Sequence, residues 1–244
     1  MKYSSWLKNY IKFAKDFDEN TALECAKQSQ AIYKCKTSEE CKLKIVKGYL
    51  GNNKGKPLYS IKLINDTIFI AFKGTTDLMN WYANAYILLK NVDDVRIHNG
   101  FFNLYKEYEP DILAFLKSKK FKKIILTGHS LGGALATVAA YELSKIHKVK
   151  FELFTFGSPQ VGNIEFKKKL NGLLDRSWRF VNRNDIVTRS VEFARSDFYH
   201  VGKLILINST GTSNVNAHGM HHYITGIENK KYDILQHNIC RSRR

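Results

Sequence analysis

The sequence predicts an α/β protein: a mixed, mostly parallel sheet flanked by helices. Three observations carry this. Apolar runs of strand length alternate with helical stretches, the pattern of a parallel sheet covered on both faces. Three of the runs stop sharply at polar residues, Gly74, Gly128 and Asn184, and ligands in such sheets bind where strands end. Residues 126–136, "LTGHSLGGALA", set one serine between two glycines where a strand gives way to a helix.

Taken in order, residues 4–34 read as helical, with Trp6, Tyr10, Phe13 and Phe17 at helical spacing, followed by Leu23, Ala26, Ala31 and Ile32. Residues 44–50, 58–64 and 67–73 read as strands joined by "GNNKGKP" and "ND", turns short enough for antiparallel neighbours. Residues 101–118 form a helix. Residues 122–127 are a short buried strand, and Leu131 to His147 a helix whose first half is rich in Gly and Ala and suits close packing on a sheet. A strand follows at 149–157, a helix at Ile164–Leu174, a strand over "SWRFVNRNDIV", a strand at 203–208 and a short helix at His221–Ile227. No repeat or linker divides the 244 residues, so residues 1–244 are expected as one domain, with residues 1–43 as an N-terminal helical segment.

Composition narrows the function classes. The chain is 44% apolar, enough for a substantial core, and has no run of about 18 apolar residues to cross a membrane. Lys and Arg number 39 against 22 Asp and Glu, a formal charge of +17, which favours anionic partners such as a negatively charged membrane. No zinc-finger spacing or RNP1-like run accompanies the charge, so a nucleic-acid partner is not expected. The N-terminus has no apolar leader, which argues for a cytoplasmic protein with peripheral membrane contact, or a secreted one if a leader was removed. Reduced thiols are then the default for Cys25, Cys35, Cys41 and Cys240, with Cys35–Cys41 the pair that would bridge on export. Nothing in the sequence speaks to oligomeric state.

The chemistry starts at Ser130. In a G-x-S-x-G nucleophile elbow the serine sits on a strained strand-to-helix turn, and the glycines let neighbouring backbone pass close. A serine hydroxyl is a weak nucleophile; it needs a general base, and the base needs an orienting carboxylate. Hydrolases with this elbow run Ser, then acid, then His. Asp185, directly after an apolar strand, fits the acid better than Asp175, Glu192 or Asp197. The base is open among His200, His218, His221, His222 and His237. "AHGMHHY" also invites a metal reading, but adjacent histidines diverge and no H-E-x-x-H occurs, so no metal and no cofactor is expected. One oxyanion donor is the N–H of Leu131, just after the serine at a helix N-terminus.

Together with the elbow, "FKGTTDLMNWYAN", "IHNGF" (97–101), "TFGSPQVGN" (155–163) and "RFVNRNDIV" (179–187) resemble the class 3, fungal-type lipase family, over about residues 60–226. That resemblance implies an α/β-hydrolase fold and hydrolysis of acyl esters of lipids, of the triacylglycerol lipase or phospholipase A1 kind. It implies Ser130 as nucleophile and Asp185 as acid. It favours His218 as base, through the similarity of "HGMHHY" to the family's H-S-M-x-x-Y, with Gly219 freeing the backbone beside it. It implies Thr75 as the second oxyanion donor. It also implies a lid over "DLMNWYANAYILLKNVDDV", where Leu78, Trp81, Tyr82, Tyr86, Ile87 and Leu88 would form an apolar face on the site. Lys73 and Asn80 depart from the family's usual Arg and Asp. The competing reading is a catalytically inactive lipase-like scaffold that binds a lipid or protein partner.

Overall fold

The computed structural model describes residues 16–34, 58–75, 88–189, 197–208 and 216–235. Helix α1 (Glu19–Lys34) is followed by β1 (Tyr59–Ile64) and β2 (Thr67–Phe72), a small hairpin β3 (Leu89–Val92) and β4 (Val95–His98), and α2 (Asn99–Lys117). Then come β5 (Lys123–His129), α3 (Leu131–Ile146), β6 (Lys150–Phe156), α4 (Ile164–Leu173), β7 (Arg176–Asn182), β8 (Lys203–Ile207), α5 (Met220–Glu228) and β9 (Tyr232–Leu235). One sheet holds seven strands in the order β1-β2-β5-β6-β7-β8-β9. β2, β5, β6, β7 and β8 run parallel, and β1 and β9 close the edges antiparallel.

Both faces are covered, which is why the central strands are nearly continuous apolar runs. Side chains alternate between faces along a strand. Phe72, Ile124, Leu126 and Leu153 enter one core with residues of α2, α3 and α4. Ile125, Phe154, Phe156, Trp178, Phe180 and Ile205 enter the other with α1 and α5. Phe156 and Phe180 stack at 4.7 Å between ring centroids; emptying such a site to alanine costs roughly 3–5 kcal/mol.

All the parallel strands therefore end on the same edge, and the sharp stops at Gly74 and Gly128 meet there, Phe72 lying in register with Gly128. The opposite edge is basic. β5, β6, β7 and β8 begin with Lys123, Lys150, Arg176 and Lys203. Lys117, Lys120, Lys122 and Lys148 stand exposed beside them.

Several elements differ from the sequence reading. The helix expected over 4–34 begins, within the described residues, at Glu19. Asp18 ends the preceding chain and caps it, accepting from the N–H of Asn20 (3.1 Å) and Thr21 (3.2 Å). The strand read through Val187 stops at Asn182. There the Asp185 carboxylate accepts from the Val187 N–H at 2.9 Å and folds the chain into a 3₁₀ turn, Ile186–Arg189. The β3–β4 hairpin and β9 were not anticipated; both are short, and β3 lies within the stretch read as a lid. The strand expected at 44–50, the Cys35–Cys41 pair and Leu78, Trp81, Tyr82, Tyr86 and Ile87 lie outside the described residues. Leu88 is exposed just before β3, where its carbonyl accepts from Asn99 N–H. Among the described residues no helix is long and apolar enough to cross a membrane.

Candidate active site

Ser130 sits between β5 and α3 with φ 60° and ψ −130°, a left-handed backbone that side-chain-bearing residues avoid. The flanking glycines explain how the turn closes. A Cβ at Gly128 would lie 2.2 Å from the Gly132 backbone, and one at Gly132 would lie 2.1 Å from the Phe72 carbonyl oxygen. The elbow is thus wedged against the helix above it and the strand beside it. The Ser130 N–H donates to the Phe156 carbonyl at 2.9 Å, tying the turn to the end of β6. Leu131 is the first residue of α3, where backbone N–H groups and the helix dipole both favour negative charge.

Asp185 and His218 come together. His218 Nδ1 donates to Asp185 Oδ2 at 2.8 Å, with the carboxylate wholly buried. Asp185 follows the end of β7; His218 ends a 3₁₀ turn, Asn216–His218, just before α5. The Tyr223 hydroxyl donates to the same Asp185 oxygen and accepts from Asn182 N–H at 3.2 Å. Burial first, then the neighbouring Asp185 charge, push the Tyr223 phenol well above its ordinary pKa, so it remains a donor. The Asp185 carboxylate therefore receives three donors, one each from Val187, His218 and Tyr223, which fix its orientation.

Gly157, at the end of β6, makes room for this cluster. It has φ +56°, and a Cβ there would lie 2.7 Å from Asp185 Oδ2, 2.9 Å from the Tyr223 oxygen and 3.0 Å from His218 Cε1. On the other side, a Cβ at Gly74 would lie 3.1 Å from Ser130 Cβ, so the stretch leading to Thr75 runs beside the serine. Ser130 Oγ and His218 Nε2 are both buried, and neither has a hydrogen-bond partner. Joining them breaks no existing bond.

Of the other candidate bases, His200 is half-buried beneath the Asp185 turn with Nε2 on the Thr188 carbonyl at 2.8 Å. His221 and His222 lie on α5 with their rings 3.9 Å apart. Among the described residues no group of three His, Cys, Asp or Glu is arranged to hold a metal. The sequence reading passed over two site residues. His129 was seen only as the variable residue of the elbow. Tyr223 enters that reading only as the last letter of "HGMHHY", although its hydroxyl reaches Asp185; a buried tyrosine needs a partner for that group, and this is the available signal.

The model of the class 3 lipase family matches residues 69–194. A secreted mono- and diacylglycerol lipase of Fusarium solani is 35% identical over 129 residues, covering 50% of this chain and 38% of that protein. A chloroplastic phospholipase A1 of Arabidopsis thaliana is 28% identical over 180 residues, covering 59% and 35%. The chain spans 30% to 52% of the length of the curated relatives it matches. Among solved structures, a triacylglycerol lipase described as having a serine-protease triad at its catalytic centre superposes with a TM-score of 0.64 at 26% identity, covering 79% of this chain and 84% of that one. These relatives correct the expectation of a cytoplasmic protein: the fungal enzymes are secreted and the plant enzyme chloroplastic. An argument from a missing leader does not stand against them. With the matched segment covering more than half of its length and the elbow, sheet order and buried Asp–His pair in place, the chain belongs to the class 3 lipase family, on an α/β-hydrolase fold.

Proposed function

We propose that this chain is a serine hydrolase that cleaves carboxylic esters of lipid acyl chains through Ser130, His218 and Asp185. The observation that carries the reading is the buried His218–Asp185 bond at 2.8 Å beside a strained serine elbow. Ser130 Oγ attacks the ester carbonyl carbon while its proton passes to His218 Nε2. The His218 Nδ1–H stays on Asp185, which offsets the imidazolium charge without taking the proton. The oxyanion is received by the N–H of Leu131 and of Thr75. Collapse breaks the ester C–O bond, and the leaving alkoxide takes the proton from Nε2. A water then attacks the acyl-enzyme, giving one proton to His218, and the free acid departs as Ser130 recovers its hydrogen. Neither a metal nor a cofactor enters these steps.

The substrate class is supported by relatives that act on acylglycerols and phospholipids. The +17 charge supports peripheral contact with an anionic surface. The deciding measurement is hydrolysis of p-nitrophenyl esters of graded length by wild type and Ser130→Ala, with fluorophosphonate labelling. Wild type turns over and is labelled at Ser130, while the folded variant does neither. Turnover near wild type in Ser130→Ala overturns the reading. In a vesicle arm, anionic vesicles bind more protein than neutral ones at about 0.1 M salt and lose the advantage near 1 M, where the Debye length falls to about 3 Å.

A further inference from the structure

Helix α1 reaches the edge that carries Ser130 through Tyr33. The Tyr33 hydroxyl lies 3.0 Å from His129 Nδ1, and His129 Nε2 lies 2.7 Å from the His218 carbonyl oxygen. A carbonyl only accepts, so Nε2 carries the proton. Burial first, and then His218, keep the His129 ring neutral, so Nδ1 is bare and Tyr33 donates to it. The Tyr33 oxygen also faces the backbone of Gly74, the residue before Thr75. Both donors point one way: Tyr33 O–H to His129, and His129 Nε2–H to the His218 carbonyl. Bonds aligned in this manner polarise and stiffen one another.

From this chain we infer that Tyr33 and His129 are positioning residues for ester hydrolysis, locking the oxyanion segment and the base to the nucleophile turn. The inference rests on the serine-hydrolase reading. His129 precedes Ser130, so its ring is fixed relative to the elbow, and it packs on the His218 ring at 4.4 Å between centroids. His218 has Gly219 after it and a short 3₁₀ turn before it, so holding its carbonyl sets the reach of Nε2 towards Ser130. At the other end, Tyr33 packs on Gly74 and so sets the strand end that leads to Thr75. The fit is close: a Cβ at Gly74 would lie 2.0 Å from the Tyr33 oxygen. The link needs an acceptor and a donor on opposite sides of one neutral group, and neutral imidazole supplies both.

The test uses Tyr33→Phe, which removes one oxygen, with His129→Leu and His129→Gln, all in the full chain. On a soluble short-chain p-nitrophenyl ester, kcat of Tyr33→Phe and His129→Leu falls by roughly tenfold or more while KM stays within about twofold. Affinity for a trifluoromethyl ketone, which mimics the tetrahedral intermediate, falls by the same factor as kcat, a change that a merely structural role would not produce. His129→Gln, which keeps a donor for the His218 carbonyl, recovers part of the loss. Tyr33→Phe with wild-type kcat and ketone affinity overturns the inference, as does imidazole ¹⁵N NMR placing the His129 proton on Nδ1. If Ser130→Ala is inactive and Tyr33→Phe is unchanged, this inference alone fails. If Ser130→Ala is active, the hydrolase reading fails and this one with it.

Discussion

The Tyr223 hydroxyl donates to Asp185 Oδ2, the same oxygen that holds His218 Nδ1. Tyr223 projects from the helix that follows His218, so His218 and Asp185 are braced by one short segment of chain. Tyr223→Phe leaves a buried carboxylate with one donor fewer and removes the oxygen that Tyr223 offers to the Asn182 N–H. A loss of about 1–3 kcal/mol of stability is expected, read by urea unfolding, with a several-fold fall in kcat on soluble esters. Unchanged stability would mean that the hydroxyl does not brace the pair.

Ser130 holds φ at 60° at the elbow. Such a conformation costs on the order of 1–3 kcal/mol for a residue with a Cβ and much less for glycine. Ser130→Gly is expected to abolish turnover and raise the melting temperature, whereas Ser130→Ala abolishes turnover and keeps the strain. Equal melting temperatures for the two variants would argue against a strained elbow.

Gly157 has two reasons to be glycine: its φ of +56° and the side chains crowded over it. Gly157→Ala drives a methyl into Asp185, Tyr223 and His218 at once. Turnover is expected to fall by several orders of magnitude, the scale of a broken triad. An active Gly157→Ala protein would show that the cluster has slack to give.

Acid should destabilise the fold through buried histidines. Burial, with His218 nearby, pushes His129 well below its ordinary value; burial, with Arg179 nearby, does the same for His200; and burial takes His98 down to about 4. In the unfolded chain these groups titrate near pH 6.5, so below that pH the unfolded state binds more protons. The stability they allow is present in full above about pH 6.5 and is lost as pH falls towards their folded values. Urea midpoints should therefore drop between pH 7.5 and pH 5. A flat profile over that window would place these rings in solvent.

The parts of the site that were legible in the sequence are those built from neighbours. Ser130 announces itself because strand, turn and small-residue helix are contiguous. Asp185 is readable because it ends an apolar run. His218 is not, since four other histidines follow the same acid and only the family likeness separated them. The Tyr33–His129 bond joins residues 96 positions apart, a contact for which local pattern carries no signal. Elements followed the same rule. The long central strands and helices had clear periods, whereas β3, β4 and β9, of four residues each, are too short to show one. The helix start at Glu19 was missed because Asp18 interrupts a spacing that otherwise runs on.

The lysines that open the parallel strands stand at the far end of the sheet from Ser130. A cation-exchange bead that held the protein by these lysines would turn the strand ends around Ser130 away from its surface, and adsorption in that manner would yield an oriented layer.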